Sequence, residues 1–91
     1  MQQDKQLEGL RAQLLKTKRW PLKYMFKFVM PNDVHTIAEV RALMPTDGVM
    51  SYKDSANGKY VAMTCVAMMP SADSIVELTS KAASIPGVMS L

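Results

Sequence analysis

The chain reads as an α+β sandwich: one antiparallel sheet with two helices on one face, plus a helix at the N-terminus. Three features point there. Ser55-Ala56-Asn57-Gly58-Lys59 is a hairpin turn, and it leads into a long apolar segment, residues 60–69. Residues 22–30 and 60–69 both alternate with a period of two, the spacing of a strand with one buried face. Two stretches with helical spacing, each preceded by a capping residue, separate these strands from their neighbours.

Taken in order, residues 2–17 suit a helix, with Leu7, Leu10 and Leu14 on one face. Gly9 weakens it by roughly 1 kcal/mol relative to alanine. Lys18-Arg19-Trp20-Pro21 ends it, because proline disfavours helical geometry in the residue before it. In the first strand Leu22, Tyr24, Phe26, Phe28 and Met30 share one face, and Lys23, Met25, Lys27 and Val29 share the other. The aromatic face is expected under the helices. Asn32 or Asp33 caps a helix over about 33–44, with Val34, Ile37, Val40 and Met44 inward. Pro45-Thr46-Asp47-Gly48 breaks the chain before a second strand, 49–54, whose inward face the pattern leaves open. Asn-Gly offers the positive backbone angles of a tight hairpin. The third strand puts Val61, Met63, Cys65 and Ala67 on one face, and Tyr60, Ala62, Thr64, Val66 and Met68 on the other. Ser71 caps a helix over about 72–84 with Ile75, Leu78, Ala82 and Ile85 inward. Pro86-Gly87 stops it, and residues 88–91 form a short last strand. Strand, helix, strand, strand, helix, strand is the ferredoxin-like βαββαβ order. The division is an N-terminal helical arm, 1–19, and one ferredoxin-like domain, 20–91.

Ninety-one residues make one domain. No apolar run reaches the roughly 20 residues of a bilayer span, and the polar start Met1-Gln2-Gln3-Asp4-Lys5-Gln6 has no signal core. The expected compartment is the cytoplasm, which the single cysteine, Cys65, suits. Formal charge is +3, and six cations fall between residues 11 and 27 without an acid: Arg11, Lys16, Lys18, Arg19, Lys23 and Lys27. Such a run meets a phosphate, an acidic partner or an acidic ligand, or is simply a solvated face. Nine methionines suit irregular packing or an interface. Thioethers also hold cuprous copper, but the loop Met30-Pro31-Asn32-Asp33 lacks the cysteine pair of copper carriers with this topology.

The stretch Trp20-Pro21-x-x-Tyr24-x-Phe26-Lys27-Phe28, the hairpin Ser55-x-Asn57-Gly58-Lys59-Tyr60 and the ending Gly87-Val88-Met89-Ser90-Leu91 resemble the YbeD-like family of small bacterial proteins, a domain of unknown function. The match runs over roughly residues 18–91 in the same order and at similar spacing, and the N-terminal helix looks like that of Bacteroidetes-type members. The resemblance implies a ferredoxin-like, ACT-like sandwich and no particular reaction. Its likeness to ACT domains suggests a regulatory or ligand-sensing module. Members often carry a serine two residues after the hairpin tyrosine; Ala62 stands there in this chain.

Catalytic chemistry is thin. A nucleophile needs a base beside it, but the one histidine, His35, belongs to a helix start and Cys65 to a core face. One cysteine and one histidine do not make an ordinary zinc site. Asp33, Asp47, Asp54 and Asp73 all have capping or turn roles available. The loop after the first strand has neither the glycines nor the arginine of an acylphosphatase, and Asn57-Gly58-Lys59 is not a Walker loop. Gly58-Lys59-Tyr60 faintly echoes RNA-recognition domains, which stack bases on aromatics of two central strands; the first strand offers none on its open face. The expectation is no enzyme, no cofactor and no metal.

What remains is the open face of the sheet: Lys23, Met25, Lys27 and Val29 beside Tyr60, Thr64, Val66 and Met68. Its apolar middle calls for a cover. The candidates are the N-terminal helix, a second copy in a homodimer, or a small anionic ligand near Lys23, Lys27 and Tyr60. The expected function is a non-enzymatic regulatory or protein-interaction module. The alternative is RNA binding through the basic stretch 11–27 and the open face.

Overall fold

The computed structural model describes residues 2–16 and 19–91. Its elements are α1 (Gln2–Leu15), β1 (Leu22–Pro31), α2 (Val34–Leu43), β2 (Val49–Asp54), β3 (Tyr60–Met69), α3 (Ala72–Ala83) and β4 (Met89–Ser90). The expected end of the first helix, at Thr17 and Lys18, lies outside the described residues. The four strands form one antiparallel sheet in the order β2-β3-β1-β4. Helix α2 carries the chain from β1 past β3 to β2, and α3 carries it from β3 past β1 to β4. This is the ferredoxin-like α+β fold expected from the element order.

Alternation sets the core. β1 pairs with β3 along its whole length, from Leu22 opposite Met69 to Pro31 opposite Tyr60. That register stacks Phe26, Phe28 and Met30 beside Cys65, Met63 and Val61, all buried against the helices. Tyr24 meets Phe26 edge-on with ring centres 4.8 Å apart, and Phe26 stacks on Phe28 at 6.3 Å. From the helix layer Val40, Ile75 and Ala82 close over these side chains. Leu78 and Ile85 pack against the core half-buried, as expected of the last helix.

Both helices of the sandwich begin at the residues suited to capping them. Thr36 donates its backbone N–H to Asp33 Oδ2 at 3.0 Å and its hydroxyl to the same oxygen at 2.9 Å. These bonds hold the Asp33 carboxyl below the usual carboxylate range. Ser71 and Ser74 exchange side-chain-to-backbone bonds in a capping box at the start of α3.

Three expectations need correction. Val34 was expected inward, yet it is 79% exposed. It shares a stripe with Ile37 and Val40, but the first turn of α2 lies over an open groove rather than over packed side chains. The hairpin also uses fewer special angles than Asn-Gly suggests. Only Gly58 takes a positive φ, +72°. Ser55 N–H bonds Tyr60 C=O at 2.9 Å, which leaves residues 56–59 as the loop. A loop of that length does not need both angles of a two-residue turn. Asn57 Oδ1 accepts from Ser55 Oγ and from Lys59 N–H and so braces it from inside. Lastly, the closing strand is shorter than residues 88–91: Val88 is buried, Met89 and Ser90 pair with β1, and Leu91 adds one bond from its N–H to Lys27 C=O at 2.9 Å.

α1 packs against α3, in the helix layer. Leu14 is buried there, Leu10 lies against the core, and Arg11 meets Asp73 at 3.0 Å. That ion pair is exposed and contributes little, so the leucines anchor the helix. The helix therefore lies on the far side of the sheet from its open face.

Candidate interaction face

The open face is built by the residues that alternation turns away from the helices. β1 contributes Lys23, Met25, Lys27 and Val29; β3 contributes Tyr60, Ala62, Thr64, Val66 and Met68. The register sets Met25 opposite Val66, Lys27 opposite Thr64, and Lys23 opposite Met68. All the expected face residues come together here. β2, whose inward side could not be read from its pattern, adds Val49 opposite Val66, Ser51 opposite Thr64 and Lys53 opposite Ala62. β4 adds Met89 opposite Val29.

The result is an apolar centre in a basic frame. A row of Val49, Val66 and Met25 crosses three strands, with Met68 and Met89 beyond it. Val49 is 71% exposed, Met89 64% and Met25 60%. Three lysines, Lys23, Lys27 and Lys53, stand around these residues, and the strands place no acid on this side. The acids of the described strands and helices lie elsewhere: Asp54 projects to the helix side of β2, Asp33 caps α2, Asp73 of α3 pairs with Arg11 of α1, and Glu8, Glu39 and Glu77 belong to the helices.

The basic run of residues 11–27 does not form one patch. Arg11 stands on α1 in the helix layer, and Lys23 and Lys27 on the opposite side of the sheet. Lys18 lies outside the described residues. Lys53 joins the lysines of β1 from another part of the chain. Its membership, like those of Val49 and Met89, was hidden in the sequence because neither β2 nor β4 shows a contrast between its two faces.

The remaining chemical groups do not assemble. His35 is exposed on the first turn of α2, whereas Cys65 is fully buried on β3. Burial pushes the Cys65 thiol up, and the Asp47 carboxylate adds to it. Among the described residues no three metal-binding side chains gather, and no helix is long and apolar enough to cross a membrane. Two results are expected for Cys65. A thiol reagent should modify it only as fast as the protein opens. Because its folded pKa lies above its unfolded value, its contribution to stability is intact below about pH 8.5 and is lost as pH rises further. Tyr24, also raised by burial, acts in the same sense nearer pH 10. Urea titrations at rising pH measure this slope, and the Cys65→Ala variant should flatten its earlier part.

A concavity of about 720 Å³ lies on the helix side between α2 and the start of β2. Ile37, Met44 and Met50 line it with Val34, and Arg41 supplies the one charge on its wall.

Comparison with protein-family models, with curated proteins and with solved structures finds no match.

Proposed function

We propose that this chain is a non-enzymatic protein-interaction module of regulatory type, working through the open face of its sheet. Its partner presents acidic side chains around an apolar centre. One observation carries the reading: exposed Met25, Val49 and Met89 are framed by Lys23, Lys27 and Lys53 with no acid among them. Such an apolar patch marks an interface, and the single sign of its frame selects the partner. The quoted likeness to YbeD-like proteins, and through them to ACT-like regulatory domains, supports the same class of function. So does the placement of His35 on an exposed helix turn and of Cys65 inside the core. A second copy is the weaker occupant of this face, since lysines would meet lysines. RNA is weaker too, since Tyr60 alone offers a stacking surface, at the end of β3.

The test uses a designed amphipathic helical peptide with leucines on one face and glutamates flanking them, titrated into the labelled protein. Binding should weaken with added salt, and the Lys23→Glu, Lys27→Glu double variant should lose about tenfold in affinity. Equal binding by the double variant would defeat the proposal. Tighter, salt-sensitive binding of single-stranded RNA at the same residues would replace it with the nucleic-acid reading.

A further inference from the structure

The β2 edge of the sheet carries a separate feature. β2 pairs with β3 on one side only, so among the described residues its outer backbone groups have no strand partner. The bond from Ser55 N–H to Tyr60 C=O sets the phase of that pairing. Counting back by twos, Ser51 and Lys53 turn their amides toward β3, and Met50, Tyr52 and Asp54 turn theirs outward. The side chains of those same three residues lie on the helix side, where Met50 lines the groove beside α2. An unpaired edge beside a groove is the combination that accepts an added strand: backbone bonds bind it, and alternate side chains enter the groove.

We propose that the occupant is β2 of a second copy, paired antiparallel about a two-fold axis at Tyr52. Met50 then stands opposite Asp54 of the other copy, Tyr52 opposite Tyr52, and Asp54 opposite Met50. Every outward amide of the strand is used. Charge complementarity selects this occupant over an unrelated peptide. α2 runs antiparallel to β2, so Arg41 lies near the Met50 end, and both line the groove. That is where the incoming Asp54 arrives. Neither Arg41 nor Asp54 has an ion-pair partner among the described residues. By symmetry the contact forms twice. The pairing also covers two exposures the isolated chain leaves unexplained: Tyr52, 45% exposed although on the helix side, and Val34 at the far end of the groove. Lys53 faces Ser51 rather than another lysine, so the register sets no like charges directly opposite. The open faces of both copies stay uncovered, on one continuous sheet, so this inference stands apart from the proposed function.

Sedimentation equilibrium over micromolar to millimolar protein tests it. The wild-type chain should reach twice the chain mass. Arg41→Asp and Asp54→Arg should each raise the dissociation constant by about tenfold or more. Combining both reversals in one chain should restore dimerisation, a result no loss of folding can imitate; circular dichroism checks the single variants. A wild-type chain that stays monomeric overturns the proposal. So does a dimer that ignores both reversals, and if Val66→Asp breaks that dimer, pairing runs through the open face instead.

Discussion

Phe26→Ala is expected to cost about 3–5 kcal/mol, and Met25→Ala, one residue earlier, no more than about 0.5 kcal/mol. The contrast follows from alternation alone. Phe26 is 2% exposed and touches the rings of Tyr24 and Phe28; Met25 is 60% exposed on the other side of the same strand. Removing the Phe26 ring loses its transfer free energy and leaves a cavity between two aromatic neighbours, which β1, paired with β3 along its whole length, does not move to close. A domain of this size has stability near the low end of about 5–15 kcal/mol. The variant should therefore sit close to its unfolding limit, with a melting temperature lower by on the order of 20 °C. Urea denaturation of both variants measures the difference. Equal costs would mean that the strand is turned over, and the basic face would be lost with it.

How far the sequence discloses the molecule depends on the contrast each element carries. β1 and β3 are central strands with one face packed and one open, so Phe26 and Lys27, or Cys65 and Thr64, announce their sides directly. β2 is an edge strand. Its sequence, Val-Met-Ser-Tyr-Lys-Asp, mixes apolar and polar residues on both faces, and only Met50 is even half-buried. That is why Val49 and Lys53 were not assigned to the open face. Val34 misleads for a related reason: helical spacing identifies a stripe, but not whether anything stands opposite its first turn. The cations of residues 11–27 mislead through proximity in the chain, since the turn around Trp20-Pro21 carries the later ones to the other side of the sheet. Sequence neighbours become surface neighbours only within one element, and pairing decides the rest.

The two proposed surfaces share one physical origin. A sheet covered on one side by three helices gathers its acids with the helices and their caps, where carboxylates accept backbone N–H groups. The strands, carrying lysines on the uncovered side, then take one sign. Asp47 lies in the loop before β2, and on the strands Asp54 is the exception. It is the strand acid placed on the helix side, at the edge rather than beneath a helix, and it points toward the region where an added strand would bring an arginine.

Gly48→Ala is expected to cost about 1–3 kcal/mol, and Cys65 decides much of that amount. A Cβ at Gly48 would lie 2.6 Å from Cys65 Sγ and 3.0 Å from the Pro45 carbonyl oxygen, with Ala67 Cβ at an ordinary 3.7 Å. Neither neighbour yields easily. Sγ is buried against the core, and the carbonyl accepts a hydrogen bond from Gly48 N–H at 3.0 Å. The glycine is therefore required for close approach, since its φ is not in the left-handed region. Cys65→Ala removes the nearer clash and keeps the Cβ of the core face. The double variant should then be more stable than the sum of the single costs predicts, by about 0.5–2 kcal/mol. Rescue should be partial, because the Pro45 oxygen remains. Strictly additive costs in urea denaturation would show that the loop 45–48 moves away from β3 to admit the methyl group, and that the thiol does not set its position.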